Sequence, residues 1–309
     1  MHVILFYKYR NKEIVMLILI SDAFDKSLPG KLSVFGEVTE DTSRLKEADV
    51  LLIRSKTKAT SEYLSEAKKL KLIIRGGVGM DNIDKDYCRE HGIIATNTPR
   101  SSAIAVAELA FALMISTPCH IPFYDSTMKK GEWAKKTKRT ELYGKTLALL
   151  GIGNIATKVA ERAQAFGMKV VAYDKYVASS PVAEMMSLED AVKNADYISM
   201  HLPFTPETDK MVNAELISKM TKAPVIINTG RGKCVDEAAV ADALKSGKLS
   251  WFCTDVYSSE PPVIAENPLF SCDNVTFSPH VGANTVENLL RIGEEVFETI
   301  KKYKEEGKI

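Results

Sequence analysis

Thr146-Leu147-Ala148-Leu149-Leu150-Gly151-Ile152-Gly153-Asn154-Ile155-Ala156 reads as a buried strand, a tight turn and the opening of a helix. The apolar run has strand length and no polar face. Gly151 permits the turn, Gly153 lets a pyrophosphate approach the backbone, and Ala156 is small enough for helix and strand to pack closely. Val159, Ala160 and Ala163 carry the helix on. Its N-terminus would offer free N–H groups and the positive end of a dipole to phosphates. The following run, Val170-Val171-Ala172-Tyr173, ends at Asp174, 21 residues after Gly153. That spacing suits a carboxylate that binds the ribose hydroxyls of NAD and repels the 2′-phosphate of NADP, although Lys175 beside it would soften the repulsion. The bland alternative is a surface turn near an unrelated Asp. It leaves the agreement of strand, turn, helix and acid to coincidence.

Outward from this motif, short β-rich runs alternate with segments of helical period, the pattern of parallel sheets with crossover helices. Strands are expected at 146–150, 169–173, 197–201, 225–228, 251–254 and 275–277, and in an earlier group at 17–20, 50–53, 72–74 and 93–95. Residues 61–70 carry Tyr63, Leu64, Ala67 and Leu70 at helical spacing. Residues 101–116 are rich in Ala, Leu and Met, with Glu108 as the one charge and Ser101 or Ser102 as the cap. A helix this apolar is expected to be buried between domains or subunits. Residues 284–303 form a helix with an apolar stripe through Val286, Leu289, Leu290, Ile292, Val296, Phe297 and Ile300. The chain therefore reads as α/β, with two doubly wound parallel-sheet domains. At 309 residues it exceeds what one core usually organises.

Composition narrows the function classes. With 41 basic and 40 acidic residues the net charge is +1, which advertises neither nucleic acid nor an anionic membrane as a partner. No stretch could span a bilayer. The five cysteines are scattered and form no Cys-x-x-Cys pair, and the five histidines lack metal-ligand spacing. No metal site is expected, and a reducing, cytoplasmic setting fits best. Residues 1–15 read as an extension before a fold that begins with a strand at Met16, which could itself be the natural start.

Three polar residues fall at or after the ends of successive late strands: Arg231 in Asn228-Thr229-Gly230-Arg231-Gly232, Glu260 in Ser258-Ser259-Glu260-Pro261, and His280 in Ser278-Pro279-His280-Val281-Gly282. In doubly wound sheets the ligand crevice lies beyond these ends. Hydride transfer from an alcohol needs a base for the hydroxyl proton, and histidine serves that role near neutral pH. A carboxylate at its far nitrogen would fix its tautomer and raise its pKa. A guanidinium could grip a substrate carboxylate bidentately. Singly, each is as well read as a loop histidine, a Glu-Pro turn and a surface Arg-Gly. Together, behind a dinucleotide motif, they point to NAD-dependent oxidation of a small 2-hydroxy acid, or the reverse.

At these residues the sequence resembles the D-isomer-specific 2-hydroxyacid dehydrogenase family. The resemblance also rests on Leu52-Ile53-Arg54-Ser55-Lys56-Thr57-Lys58-Ala59-Thr60, on Arg75-Gly76-Gly77-Val78-Gly79-Met80-Asp81-Asn82-Ile83-Asp84 and on Ser278-Pro279-His280-Val281-Gly282-Ala283. It is strongest to the branch that oxidises 3-phosphoglycerate at the entry to serine synthesis. It implies a Rossmann-type NAD domain, 98–282, inserted in a flavodoxin-like substrate domain, 1–97 plus 283–309. It implies Arg231, Glu260 and His280 as catalytic residues, and Val78, Gly151, Gly153, Asn154, Ile155, Asp174, Leu202, Pro203, Thr208, Thr229, Gly230, Asp255, His280 and Gly282 around NAD. Arg54 and Arg75 match positions near the substrate's carboxylate and phosphate, with the amides of Gly76 and Gly77 assisting and Ser102 as a further donor beside Arg231 and His280. The alternative for Arg54 is a strand-end surface charge, but two arginines after two neighbouring strands favour the binding role. A homodimer built by the NAD domains is also implied.

The sequence departs from that branch at Arg100-Ser101-Ser102, where members often carry an Asn-Gly-Asn type of turn. Lys135, Lys136, Lys138 and Arg139 read as a solvated loop or as a reach toward a partner subunit. The chain's end at 309 suggests that no regulatory C-terminal domain, and no serine feedback through one, should be expected. The alternatives kept open are a glyoxylate/hydroxypyruvate reductase or D-lactate-type enzyme with the same chemistry, and an NADH-sensing corepressor-like binding protein.

Overall fold

The computed structural model describes residues 16–309, so the expected extension at 1–15 lies outside the described residues. The chain divides into two compact units. One runs to Thr98 and resumes at Leu289–Ile309; the other is Pro99–Asn288.

In the first unit the order is β1 (Leu17–Ile20), α1 (Leu28–Leu32), β2 (Glu37–Thr39), β3 (Val50–Ile53), α2 (Ser61–Ser65), β4 (Leu72–Arg75), α3 (Lys85–Glu90) and β5 (Ile94–Asn97). The strands pair in parallel in the order β2-β1-β3-β4-β5, the flavodoxin-like winding. Side chains alternate between faces along each strand. Ile18, Val50, Leu52, Leu72 and Ile74 pack under Leu28, Leu32 and the C-terminal helix residues Ile292, Val296 and Ile300. Leu19, Leu51, Ile53 and Ile73 face Leu64, Ala67 and Cys88 on the other side.

The second unit holds α4 (Ala103–Cys119), α5 (Ile121–Lys129), β6 (Thr146–Leu150), α6 (Asn154–Ala165), β7 (Lys169–Tyr173), β8 (Glu184–Met185), α7 (Leu188–Lys193), β9 (Tyr197–Met200), α8 (Ala214–Lys219), β10 (Val225–Asn228), α9 (Glu237–Lys245), β11 (Trp251–Thr254) and β12 (Val275–Phe277). Its sheet runs β12-β11-β10-β9-β6-β7-β8, all parallel. Strand order reverses between β6 and β9, which places a crevice beyond their carboxyl ends. Both sheets are doubly wound, as the strand pattern implies. Among the described residues no single helix is long and apolar enough to cross a membrane.

Several expectations need correction. α2 ends at Ser65 instead of near 70; Thr60 caps it by accepting from the Tyr63 amide, and the chain then turns. α4 begins at Ala103, with Ser102 at the cap position but making no side-chain cap bond. Its apolar flank is buried within its own unit: Ala107, Ala110, Phe111, Leu113 and Met114 pack with Leu147 and Leu149 of β6 and with Ala156, Val159 and Ala160 of α6. The C-terminal helix spans Val286–Glu305.

Candidate active site

The carboxyl ends of the second unit's strands each carry a polar or glycine-rich segment. After β6, Gly151 holds φ +89°, and a β-carbon there would lie 2.9 Å from the carbonyl oxygen of His201. Only glycine meets both demands, so the turn can pass directly over the end of β9. Gly153 stands at the start of α6, which no side chain caps, and a β-carbon on it would meet nothing within 4 Å. The space in front of the helix N-terminus is therefore open. Asn154 opens α6 and donates to the carbonyl of Pro99 at 3.3 Å, and Ile155 follows it, partly buried.

After β7, Asp174 is tied to that turn. Its Oδ2 accepts from the Ile152 amide at 3.0 Å, and its Oδ1 from the amides of Tyr176 at 2.8 Å and Val177 at 3.2 Å. After β9 comes Leu202-Pro203, and Thr208 closes the loop: its hydroxyl donates to the Pro203 carbonyl at 2.7 Å and accepts from the Thr205 amide at 2.8 Å. Two buried polar atoms at these ends have no hydrogen-bond partner, Oγ1 of Thr229 and Nδ1 of His201. Such atoms are costly unless something pairs with them. An open helix N-terminus and a fixed carboxylate beside the strand-order reversal, with an orphaned hydroxyl after β10, fit a dinucleotide.

His201 was not anticipated. Its Nε2 lies 2.9 Å from Oγ of Ser199, and burial pushes its pKa down to about 4, so the ring is neutral at neutral pH.

Beyond β10 to β12 three loops converge. Nδ1 of His280 lies 2.6 Å from Oε2 of Glu260, which leaves Nε2 of the imidazole for another partner. Burial pushes the Glu260 carboxyl up, but the bond and charge of His280, the Tyr257 amide and the charge of Arg231 outweigh it and hold it below the usual range. Arg231 thus lies near enough to act electrostatically on the pair. The turn bearing it is built by Asn228, whose Oδ1 accepts from the Gly230 amide and whose Nδ2 donates to the Arg231 carbonyl, both at 3.0 Å. Gly232 lets that turn meet the Glu260 loop, since a β-carbon there would lie 1.9 Å from the carbonyl carbon of Tyr257.

Asp255, buried at the end of β11, holds the histidine loop. Its Oδ1 accepts from Oγ of Ser278 at 2.6 Å and the Val281 amide at 2.9 Å, and its Oδ2 from the Gly282 amide at 2.8 Å. The Tyr257 hydroxyl donates to the Ser278 carbonyl at 2.8 Å, and burial, then the charges of Asp255 and Glu260, raise its pKa to about 12. Asn228, Tyr257, Ser278 and His201 were missed as site residues. The usable signal was a polar side chain at a strand's carboxyl end within or beside runs already singled out.

Ser102 is buried, and its Oγ accepts from Nδ2 of Asn288 at 3.2 Å. That bond uses the hydroxyl as an acceptor, so it leaves the expected donor role of Ser102 untouched.

In the first unit, Arg54 follows β3. Its amide donates to Oδ2 of Asp22 at 2.5 Å and its Nη1 to the Ala23 carbonyl at 3.3 Å, while burial lowers its pKa. Arg75 ends β4, with its guanidinium against Gly77. The amides expected to assist are already engaged: Gly76 donates to the Ile53 carbonyl at 2.8 Å and Gly77 to Oγ1 of Thr98 at 2.7 Å. Val78 is partly exposed, and its carbonyl accepts from Asn97.

Residues 111–282 match the family model of the D-isomer specific 2-hydroxyacid dehydrogenase NAD-binding domain. The D-3-phosphoglycerate dehydrogenase of Methanocaldococcus jannaschii is 42% identical over 300 residues, covering 92% of this chain and 57% of that protein. The hydroxypyruvate reductase of Thermotoga maritima is 44% identical over 88% of this chain and 91% of its own length. Among solved structures, the D-lactate dehydrogenase of Aquifex aeolicus, complexed with NAD and lactic acid, superposes with a TM-score of 0.82 at 32% identity, covering 93% of this chain and 95% of that one.

Proposed function

The chain belongs to the D-isomer specific 2-hydroxyacid dehydrogenases, and from that premise we propose that it oxidises 3-phosphoglycerate to 3-phosphohydroxypyruvate with NAD, as a cytoplasmic homodimer feeding serine synthesis. The observation that carries the reading is the 2.6 Å contact between His280 and Glu260 at the carboxyl end of a sheet whose reversal point holds the glycine turn and Asp174. The 99–288 unit holds the cofactor, with Asp174 toward the ribose and the α6 N-terminus toward the pyrophosphate. Arg54 and Arg75 are the groups assigned to the substrate's anionic groups.

When bound, NAD supplies the acceptor for the hydride that leaves the substrate's C2. Nε2 of His280 takes the hydroxyl proton as the C–O bond gains double-bond character, and returns it in the reverse reaction. Glu260, bonded to Nδ1, fixes the tautomer and stabilises the imidazolium. Arg231 grips the substrate carboxylate and polarises the forming carbonyl.

A second reading, reduction of hydroxypyruvate without a phosphate requirement, is favoured by the Thermotoga relative, which the chain covers almost completely. Phosphate separates the two. NAD(H)-linked turnover should be measured over a panel of 2-hydroxy and 2-keto acids for wild type, Arg54→Ala and Arg75→Ala. If these arginines bind phosphate, either change raises the KM for 3-phosphoglycerate far more than that for hydroxypyruvate. Equal losses on both substrates would favour the second reading.

A further inference from the structure

We propose that Glu207 is a specificity-determining residue of the cofactor site. By binding Lys175 it withdraws the cation next to the ribose-binding carboxylate from any 2′-phosphate, and so sets the preference for NAD over NADP. The proposal rests on the reading of 99–288 as the NAD-holding unit.

Sequence alone favours NAD through Asp174 but sets a base beside it, since β7 delivers the pair Asp174-Lys175. The acid disfavours a 2′-phosphate, whereas a cation beside it is the device by which related folds accept one. The structure gives that cation a partner from a different loop. Nζ of Lys175 lies 2.5 Å from Oε1 of Glu207, and the Tyr176 hydroxyl lies 3.5 Å from the other carboxylate oxygen. The ammonium also sits 5.6 Å from the centre of the Tyr176 ring. Lysine, phenol and carboxylate thus form one cluster immediately after the ribose-binding acid.

Glu207 is not a chance visitor to this position. It lies on the loop after β9, and the buried Thr208 hydroxyl next to it pins that loop through the Pro203 carbonyl and the Thr205 amide. Asp174 is pinned from its own side by three backbone amides. The ammonium is thus held by Glu207, and a 2′-phosphate entering beside Asp174 meets two carboxylates against one cation. The Lys175 and Glu207 side chains are 51% and 56% exposed. At that exposure the pair adds little to stability, so the pair can be altered without threatening the fold.

The test is equilibrium binding of NADH and NADPH to the full chain, read by nucleotide fluorescence at low ionic strength, without turnover. In Glu207→Gln the ratio of NADPH to NADH affinity is expected to rise roughly three- to tenfold, with more in Glu207→Lys. The gain should shrink as salt is raised, because the groups are exposed. Adding Lys175→Ala to Glu207→Gln should abolish it. An unchanged ratio in Glu207→Gln, or a gain that survives loss of Lys175, overturns the proposal. A wild-type chain that binds neither dinucleotide overturns the cofactor reading itself, and the proposal with it.

Discussion

His280 holds φ 52°, a left-handed conformation unfavourable for a residue with a β-carbon by roughly 1–2 kcal/mol. Asp255 offsets that cost with three bonds to Ser278, Val281 and Gly282, so the imidazole is aimed by its neighbours and not by its own preference. Aim is what the Glu260 contact requires. Glu260→Gln should therefore lower kcat/KM by roughly 10²- to 10⁴-fold while NADH affinity holds, and His280→Ala should lower it at least as far. Steady-state kinetics beside a fluorescence titration would show this, and an undiminished rate in either variant ends the acid–base assignment. The pH sign follows from the carboxyl. Its folded pKa lies below the ordinary 4.5, so the pair's contribution to stability is complete above that value and is lost as pH falls through the lower, folded one. The difference in unfolding free energy between wild type and Glu260→Gln should then shrink as pH falls below about 4.5, where the carboxylate takes up its proton. A difference unchanged down to about pH 3 would show that the carboxylate's charge contributes nothing there.

At the scale of elements, the legible parts were those with strong internal pattern. β6, β7, β10, β11 and β12 have the bounds that their apolar runs imply, because strands buried on both faces read as short continuous hydrophobic stretches. β2, as Glu-Val-Thr, and β8, as Glu-Met, gave no such signal; they are short edge strands whose ladder comes from a neighbour. Helix ends were less legible, since α2 stops where tertiary packing of Ala67 and Leu70 is better served by turns. The place of Asp174, at the end of β7 beside the glycine turn, was legible from spacing. The engagement of Gly76, Gly77 and Ser102 was not, because their partners Ile53, Thr98 and Asn288 are chosen by packing. Loop-to-loop contact is similarly hidden, yet it governs the site: the β10 turn and the β11 loop touch only because residue 232 lacks a β-carbon. Gly232→Ala forces one of them to move. It should destabilise the protein by about 1–3 kcal/mol and depress turnover more than NADH binding. Denaturant melts with paired kinetics would check this, and a wild-type melt with wild-type kcat would refute the close approach.

For the whole molecule, the consequence of two units with separate cores is that a perturbation in one is felt first in that one. The return crossing falls inside the C-terminal helix, between Asn288 and Leu289, where the apolar stripe continues unbroken and marks no boundary. His201 belongs to the 99–288 unit. With its pKa lowered from 6.5 to about 4 by burial, its folded state resists a proton that the unfolded chain accepts. Between those values the unfolded state binds more protons, so stability falls as pH falls from about 6.5 to 4 and then levels off. The loss from this group has an upper bound of about 3 kcal/mol. NADH acts on the same unit in the opposite sense, adding about 2.7 kcal/mol at a hundred times its dissociation constant. Calorimetry across pH 4 to 7, with and without NADH, should show the NADH-raised transition to be the one that acid lowers. In His201→Gln the slope with pH should flatten whatever the variant's absolute stability. A slope equal to wild type would mean that another group takes up the proton and that His201 is not buried in the neutral form.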